Sequence, residues 1–191
     1  MIQEPADEQV PPEVAILVGL QGSGKSTFFR TRLADTHKHV SKDNFRNARR
    51  RQDRQMRMIA EALESGENVA VDNTNPSPAE WRPIIEMARR HGARVIGYWF
   101  PPDVPGSLRR NAARASRDRV PDVGIFRTLR LLNRPGPSDG FDDLRVVRLD
   151  GRGGFQVTDM DQENEDQENE GQENEDDGGG RAEDEEVPPG P

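Results

Sequence analysis

The stretch "GLQGSGKST" (19–27) carries the densest chemistry in the chain: it fits G-x-x-x-x-G-K-[ST] through Gly19, Gly24, Lys25 and Ser26, and Gly22 adds a third glycine. Glycines at this spacing let the backbone curl around a phosphate and aim successive N–H groups at it, those of Ser23 and Thr27 included. Lys25 is placed to bridge the β- and γ-phosphates, and the Ser26 hydroxyl to ligate Mg²⁺. A buried strand before the motif and a helix after it supply the context it requires, so a nucleoside triphosphate, ATP, is the expected ligand. No Asn/Thr-Lys-x-Asp guanine-reading motif accompanies it. That weighs against a GTPase, and a small domain leaves little room for the modules of a ring-forming ATPase.

Three further groups bear on what the nucleotide is used for. "SKDNFRN" (41–47) holds Asp43 and Arg46 one helical turn apart. Asp43 is placed to accept the proton of an attacking hydroxyl and Arg46 to fork a phosphate of the acceptor. Equally, Ser41 or Asp43 caps a long helix and Arg46 is solvated. Asp72 ends an apolar strand, as the Walker-B-type acid beside a magnesium site does, or opens the turn "DNTNPSP". Asn73, Thr74 and Asn75 in that turn either orient an acceptor or close the turn. "LRRNAARASRDRVP" (108–121) sets Arg110, Arg114 and Arg117 at spacings of four and three. They form either a lid over the transferring phosphoryl group or a solvated basic helix face.

These residues need elements to hold them. "VAILVG" (14–19) is a continuous apolar run, the pattern of a strand buried on both faces of a parallel sheet. A helix is predicted over 24–34, a short strand over 39–41, and a long helix over 44–64 with Met56, Ile59, Ala60 and Leu63 on its core face. "NVAVDN" (68–73) reads as a strand, and "SPAE" (77–80) as a capping box that starts a helix running to Gly92. "RVIGYWF" (94–100) is the next strand; helical segments over 104–118 and 123–132 precede a last strand, "LRVVRL" (144–149). The alternation predicts a three-layer α/β fold with a parallel sheet and a ligand site at the carboxyl ends of the strands.

Charge is divided along the chain. Of 191 residues, 14–158 carry 26 Lys/Arg against 16 Asp/Glu, a balance of +10, whereas 159–191 carry fifteen acids and one Arg, a balance of −14. Residues 1–13, with four acids and three prolines, read as a disordered leader, 14–158 as the folded domain, and 159–191, with its DQENE repeats, as a disordered acidic tail. A basic domain suits a polyanionic partner. Cysteine is absent, which excludes a disulfide framework and thiolate metal sites. No apolar run is long enough to cross a bilayer and the N-terminus lacks a secretory pattern, so no membrane partner and a cytoplasmic location are expected.

"GLQGSGKST", "SKDNFRN", "VAVDNTNPSPAEW", "RNAAR" and the pair "RVPDV…GFDDL", in this order over roughly 14–150, resemble the kinase domain of polynucleotide 5′-hydroxyl kinases and their stand-alone bacterial P-loop relatives. The resemblance implies an ATP- and Mg²⁺-dependent transfer of the γ-phosphate to a DNA or RNA 5′-hydroxyl. It implies Asp43 as general base, Arg46 on the acceptor's 3′-phosphate and Arg114 as the lid arginine beside Lys25. The family often has a second acid where this chain has Asn44, and relatives can place the Asp72 acid one position later, at Asn73. No Asp-x-Asp-x-Thr phosphatase signature occurs. A small-molecule kinase on the same fold and a non-catalytic ATP-gated binding module are the alternatives.

Overall fold

The computed structural model describes residues 10–45 and 49–162. Among these, six strands form one sheet in the order β2-β3-β1-β4-β5-β6. β1 (Glu13–Val18) lies between β3 (Asn68–Asp72) and β4 (Arg94–Trp99), parallel to both. β2 (His37–Val40) pairs with β3 and β5 (Asp143–Leu149) with β4, again parallel.

Val14 to Val18 are all buried, so each non-polar side chain of β1 finds a core on whichever face it points to. Val14, Ile16 and Val18 join one core with Ile59 and Leu63 of α2 (Arg51–Glu64) and Trp81, Ile84 and Ala88 of α3 (Pro78–Arg90). Ala15 and Leu17 join the other with Phe28, Phe29 and Leu33 from the helix after the phosphate loop. Three layers result, and each fully buried Val, Ile or Leu contributes about 1.5–3 kcal/mol. Two more helices, α4 (Val104–Ala112) and α5 (Asp122–Leu131), lie between β4 and β5 in the chain.

Several elements differ from the sequence reading. The helix expected over 24–34 is α1 (Lys25–Phe28) followed by a wider turn, Phe29–Leu33, in which the Ala34 N–H donates to the Phe29 carbonyl at 2.9 Å. The helix expected from Asn44 begins at Arg51. A tight turn over Lys42–Phe45 precedes it, and Arg50 at φ −120°, ψ 67° is not helical. The capping box at 77–80 does not form: the Ser77 side chain makes no cap hydrogen bond, while Glu80 accepts from Lys42 Nζ at 2.8 Å. The helix expected to run to 118 stops at Ala112, because Asn111 hydrogen-bonds the Val120 backbone and folds the chain back. Finally, β5 is not the last strand. β6 (Phe155–Asp159) returns antiparallel to it, and Phe155 packs edge-on against Phe28 at 5.3 Å.

Candidate active site

The loops that follow β1, β2 and β3 meet at the carboxyl end of the sheet, where the Gly19 N–H donates to the Thr74 carbonyl at 3.0 Å. Two glycines of the first loop hold left-handed backbone, Gly22 at φ 77° and Gly24 at φ 105°. At Gly22 a Cβ would also stand 2.6 Å from the Ser107 carbonyl oxygen, so any larger residue meets both strain and a clash. Gly24 caps α1, whose first residues are Lys25 and Ser26. The Lys25 ammonium turns back into the loop and donates to the Gly19 carbonyl (3.0 Å), the Leu20 carbonyl and Ser23 Oγ (3.2 Å). Burial lowers its pKa to about 8; the Asp72 and Asp43 carboxylates pull it up and the Arg114 charge pushes it down. A buried cation held below its ordinary value among carbonyl and hydroxyl oxygens regains full charge when an anion arrives beside it.

Asp72, the last residue of β3, is buried. Burial alone would raise its carboxyl pKa, but hydrogen bonds from His39 and Ser26, together with the Lys25 charge, hold it below the ordinary value. His39 Nε2 is 3.1 Å from Asp72 Oδ2, and its ring stacks on Phe29 at 4.3 Å in the wide turn after α1. With Asn44 Nδ2 beside Nδ1 at 3.5 Å, the tautomer that donates from Nε2 to Asp72 fits both contacts. Among the described residues no group of three or more His, Asp or Glu forms a closed metal cage. Magnesium at a nucleotide site needs only one or two protein oxygens, with phosphate and water completing the octahedron. The Ser26 hydroxyl and the ionised Asp72 carboxylate, already in contact, fit that demand.

One cleft of about 780 Å³ is lined by Lys25, Ser26, Asp43, Asp72, Thr74 and Arg114 together with Gly22 and Gly24 of the loop. Asp43 is exposed in the tight turn, its N–H donating to Ser41 Oγ at 3.3 Å. Asn73 also lines the cleft, but its side chain braces the loops: its oxygen accepts the Lys42 N–H at 2.9 Å and its amide donates to Gln55 Oε1 at 2.7 Å. Asn75 is not brought to the cleft. It is 1% exposed, sits at φ 41°, and donates to the Leu17 and Val71 carbonyls. Arg46 lies outside the described residues.

The arginine segment divides. Arg110 donates from Nε to the Gly22 carbonyl at 2.6 Å and pairs with Asp103 at 3.1 Å, fastening α4 to the phosphate loop. Beyond the end of α4, Arg114, Arg117 and Arg119 line the cleft from the loop that follows, so the three arginines spaced by four and three do not share a helix face. The bracing roles of His39, Gln55, Arg110 and Asn111 leave no mark in the sequence. His39 shares a short strand with His37, and no local feature marks which of the two meets Asp72; the other three act on backbone or amide partners up to 88 residues away, which no local pattern records.

A second cleft, of about 240 Å³, is lined by Ser23 of the phosphate loop with Phe100, Pro101, Arg110 and Leu149.

Similar arrangements occur in solved structures. A chain of the Pnkp1/Rnl/Hen1 RNA repair complex matches with a TM-score of 0.55 and 25% identity, over 68% of this chain and 47% of that one. This chain therefore spans about half the length of that relative. A fungal RNA kinase matches with a TM-score of 0.58 and 17% identity, over 72% of this chain and 74% of the other. A gluconokinase from Sinorhizobium meliloti 1021 matches with a TM-score of 0.52 and 18% identity, over 73% and 84%. The last two likenesses show the fold alone, a three-layer α/β fold around a mostly parallel sheet. Residues 14–133 match the model of the AAA domain family, and with well over half of its length inside that match the chain belongs to the AAA domain family.

Proposed function

We propose that this protein is an ATP-dependent phosphotransferase that moves the γ-phosphate to the 5′-hydroxyl of a DNA or RNA strand. The observation that carries the reading is the convergence of a carboxylate, Asp43, and an arginine, Arg114, on one cleft with the buried Lys25. A binding module has no need of an exposed carboxylate beside the phosphates it must attract, because like charges repel. A transferase does, as a proton acceptor.

In this reading the N–H groups of Gly22, Gly24, Lys25 and Ser26 cradle the phosphates and the second cleft takes the base. Asp43 accepts the proton of the acceptor hydroxyl as its oxygen bonds to the γ-phosphorus. The bond to the β-phosphate oxygen breaks, and ADP leaves with that electron pair. Lys25 and Arg114 carry the charge that develops on the transferring oxygens, which is where most of the rate comes from. Ser26 and Asp72 hold Mg²⁺, which neutralises phosphate charge when bound. Thr74 borders the acceptor side, and Arg46 is assigned to the acceptor's 3′-phosphate.

The balance of +10 over residues 14–158 suits a polyanionic acceptor. So does the 25% identity to a chain of an RNA repair complex. No helix among the described residues is long and apolar enough to cross a membrane, and a cysteine-free chain using ATP fits a cytoplasmic enzyme. Transfer of labelled γ-phosphate to 5′-hydroxyl oligonucleotides, lost in Asp43→Asn with ATP binding kept, tests the assignment. Transfer to a small polyhydroxy acid in place of any oligonucleotide would move the acceptor to the sugar-kinase class.

A further inference from the structure

We propose that Asn111 is the positioning residue that holds Arg114 in the cleft, by clasping together the two ends of the loop that carries it. Asn111 closes α4 and is 1% exposed. Its Nδ2 donates to the Val120 carbonyl at 2.6 Å, and its Oδ1 accepts the Val120 N–H at 3.0 Å. A single side chain thus satisfies both backbone groups of a residue nine positions on. A carboxamide offers a donor and an acceptor side by side in one plane without having to bind a proton, as a carboxylate would. The Arg119 guanidinium repeats the closure by donating to the Ala112 carbonyl.

Residues 113–119 are therefore a closed loop with fixed ends, and Arg114, Arg117 and Arg119 face the cleft from it. Both ends are also referenced to the phosphate loop. On the α4 side Arg110 donates to the Gly22 carbonyl at 2.6 Å. On the α5 side Thr128 Oγ1 accepts from Gln21 Nε2 at 2.9 Å. The backbone that carries Arg114 is located from two directions relative to the residues that wrap the phosphates. An arginine on an unclasped loop would have to be ordered in every turnover, whereas a clasped one is positioned before the phosphoryl group moves. Asn111 does not line the cleft, so its influence on transfer runs through Arg114 and rests on the role proposed above for that residue.

The test compares Asn111→Ala with wild type by tryptic cleavage after Arg114 and Arg117 and by steady-state transfer. Loss of the clasp raises the population of the open loop, so cleavage there is expected to quicken by at least about tenfold. The turnover number is expected to fall by about ten- to a hundredfold, while ATP affinity stays within about twofold. A folded Asn111→Ala protein with wild-type cleavage and wild-type turnover would overturn the proposal. Should that variant not fold, hydrogen exchange in the wild-type protein tests the same contact. The Val120 amide is expected to exchange far more slowly than the amides of 115–117, and equal exchange would overturn the clasp. Arg114→Ala separates this claim from the functional one. Unimpaired turnover in Arg114→Ala alongside faster cleavage in Asn111→Ala would overturn the role of Arg114 while supporting the clasp.

Discussion

Raising the pH should release ATP from this protein well before the fold is affected, because Lys25, the lysine proposed to hold the phosphates, is already half neutral in the slightly alkaline range. Burial, opposed by the Asp72 and Asp43 carboxylates and reinforced by Arg114, sets the Lys25 pKa to about 8. Polyphosphate in the loop stabilises the charged form and returns the group at least to its ordinary value of about 10.4. The complex then holds a proton that the free protein lacks, so affinity is greatest below the free-state pKa and falls as pH rises through it. With those two values the dissociation constant for ATP rises about elevenfold by about pH 9 and about thirtyfold by about pH 9.5, or ~2 kcal/mol. Above about pH 8 the terminal phosphate of ATP is fully ionised and adds no slope. Isothermal titration in two buffers of different ionisation enthalpy, without Mg²⁺, should show uptake of about half a proton per ATP at about pH 8 and about 0.9 at about pH 9. Asp43→Asn removes a carboxylate that raises the Lys25 pKa, so the midpoint should move down; Arg114→Ala removes a cation that lowers it, so the midpoint should move up. Without ATP the sign differs. Between about 8 and the unfolded value of 10.5 the unfolded chain holds the proton that the native state has lost, so this group makes the apo fold more stable as pH rises through that window. Constant ATP affinity from about pH 7 to about 9.5 with no proton uptake would refute the reasoning.

Gly22→Ala should lose nucleotide affinity by more than tenfold in equilibrium titration, since the left-handed backbone costs about 1–2 kcal/mol and the new Cβ meets the Ser107 carbonyl oxygen at 2.6 Å. Asn75→Ala should lower stability in urea by about 1–3 kcal/mol by stripping the Leu17 and Val71 carbonyls of their donor. A raised acceptor KM with unchanged stability would return Asn75 to the acceptor site. His39→Leu should raise the Mg²⁺ concentration that half-saturates nucleotide binding by about tenfold, because Asp72 loses a hydrogen-bond donor and an orienting ring. ATP binding measured without Mg²⁺ should not change.

The alternation of strands and helices was legible because "VAILVG" is apolar without interruption and "NVAVDN" holds an unbroken Val69-Ala70-Val71 centre between polar ends, short runs of the kind that strands buried on both faces carry. The phosphate loop was legible because its glycines answer to backbone geometry within nine residues. What stayed hidden depends on partners distant in sequence. β6, "FQVTD", buries Phe155 but leaves Gln156, Val157 and Asp159 exposed, so it reads as polar chain running into the acidic repeats. The Ser77–Glu80 pair had the spacing of a capping box, yet Lys42, 38 residues earlier, draws the Glu80 carboxylate away. The spacing of Arg110, Arg114 and Arg117 suggested one helix face until Asn111 bonded to Val120 and ended the helix. In the candidate site Asp43, Asp72, Lys25 and Arg114 could be named from their positions, whereas the role of Asn75 turned on its burial and its positive φ.

The most direct measurement of the central claim is γ-phosphate transfer from labelled ATP to matched 5′-hydroxyl DNA and RNA oligonucleotides, with Asp43→Asn beside the wild type and ATP binding measured for both. The account predicts label on an oligonucleotide with the wild type, at least about a hundredfold less with the variant, and ATP binding by the variant when both are measured below about pH 7, where Lys25 is charged. Demonstrable ATP binding by the wild type with no label on either oligonucleotide would contradict it.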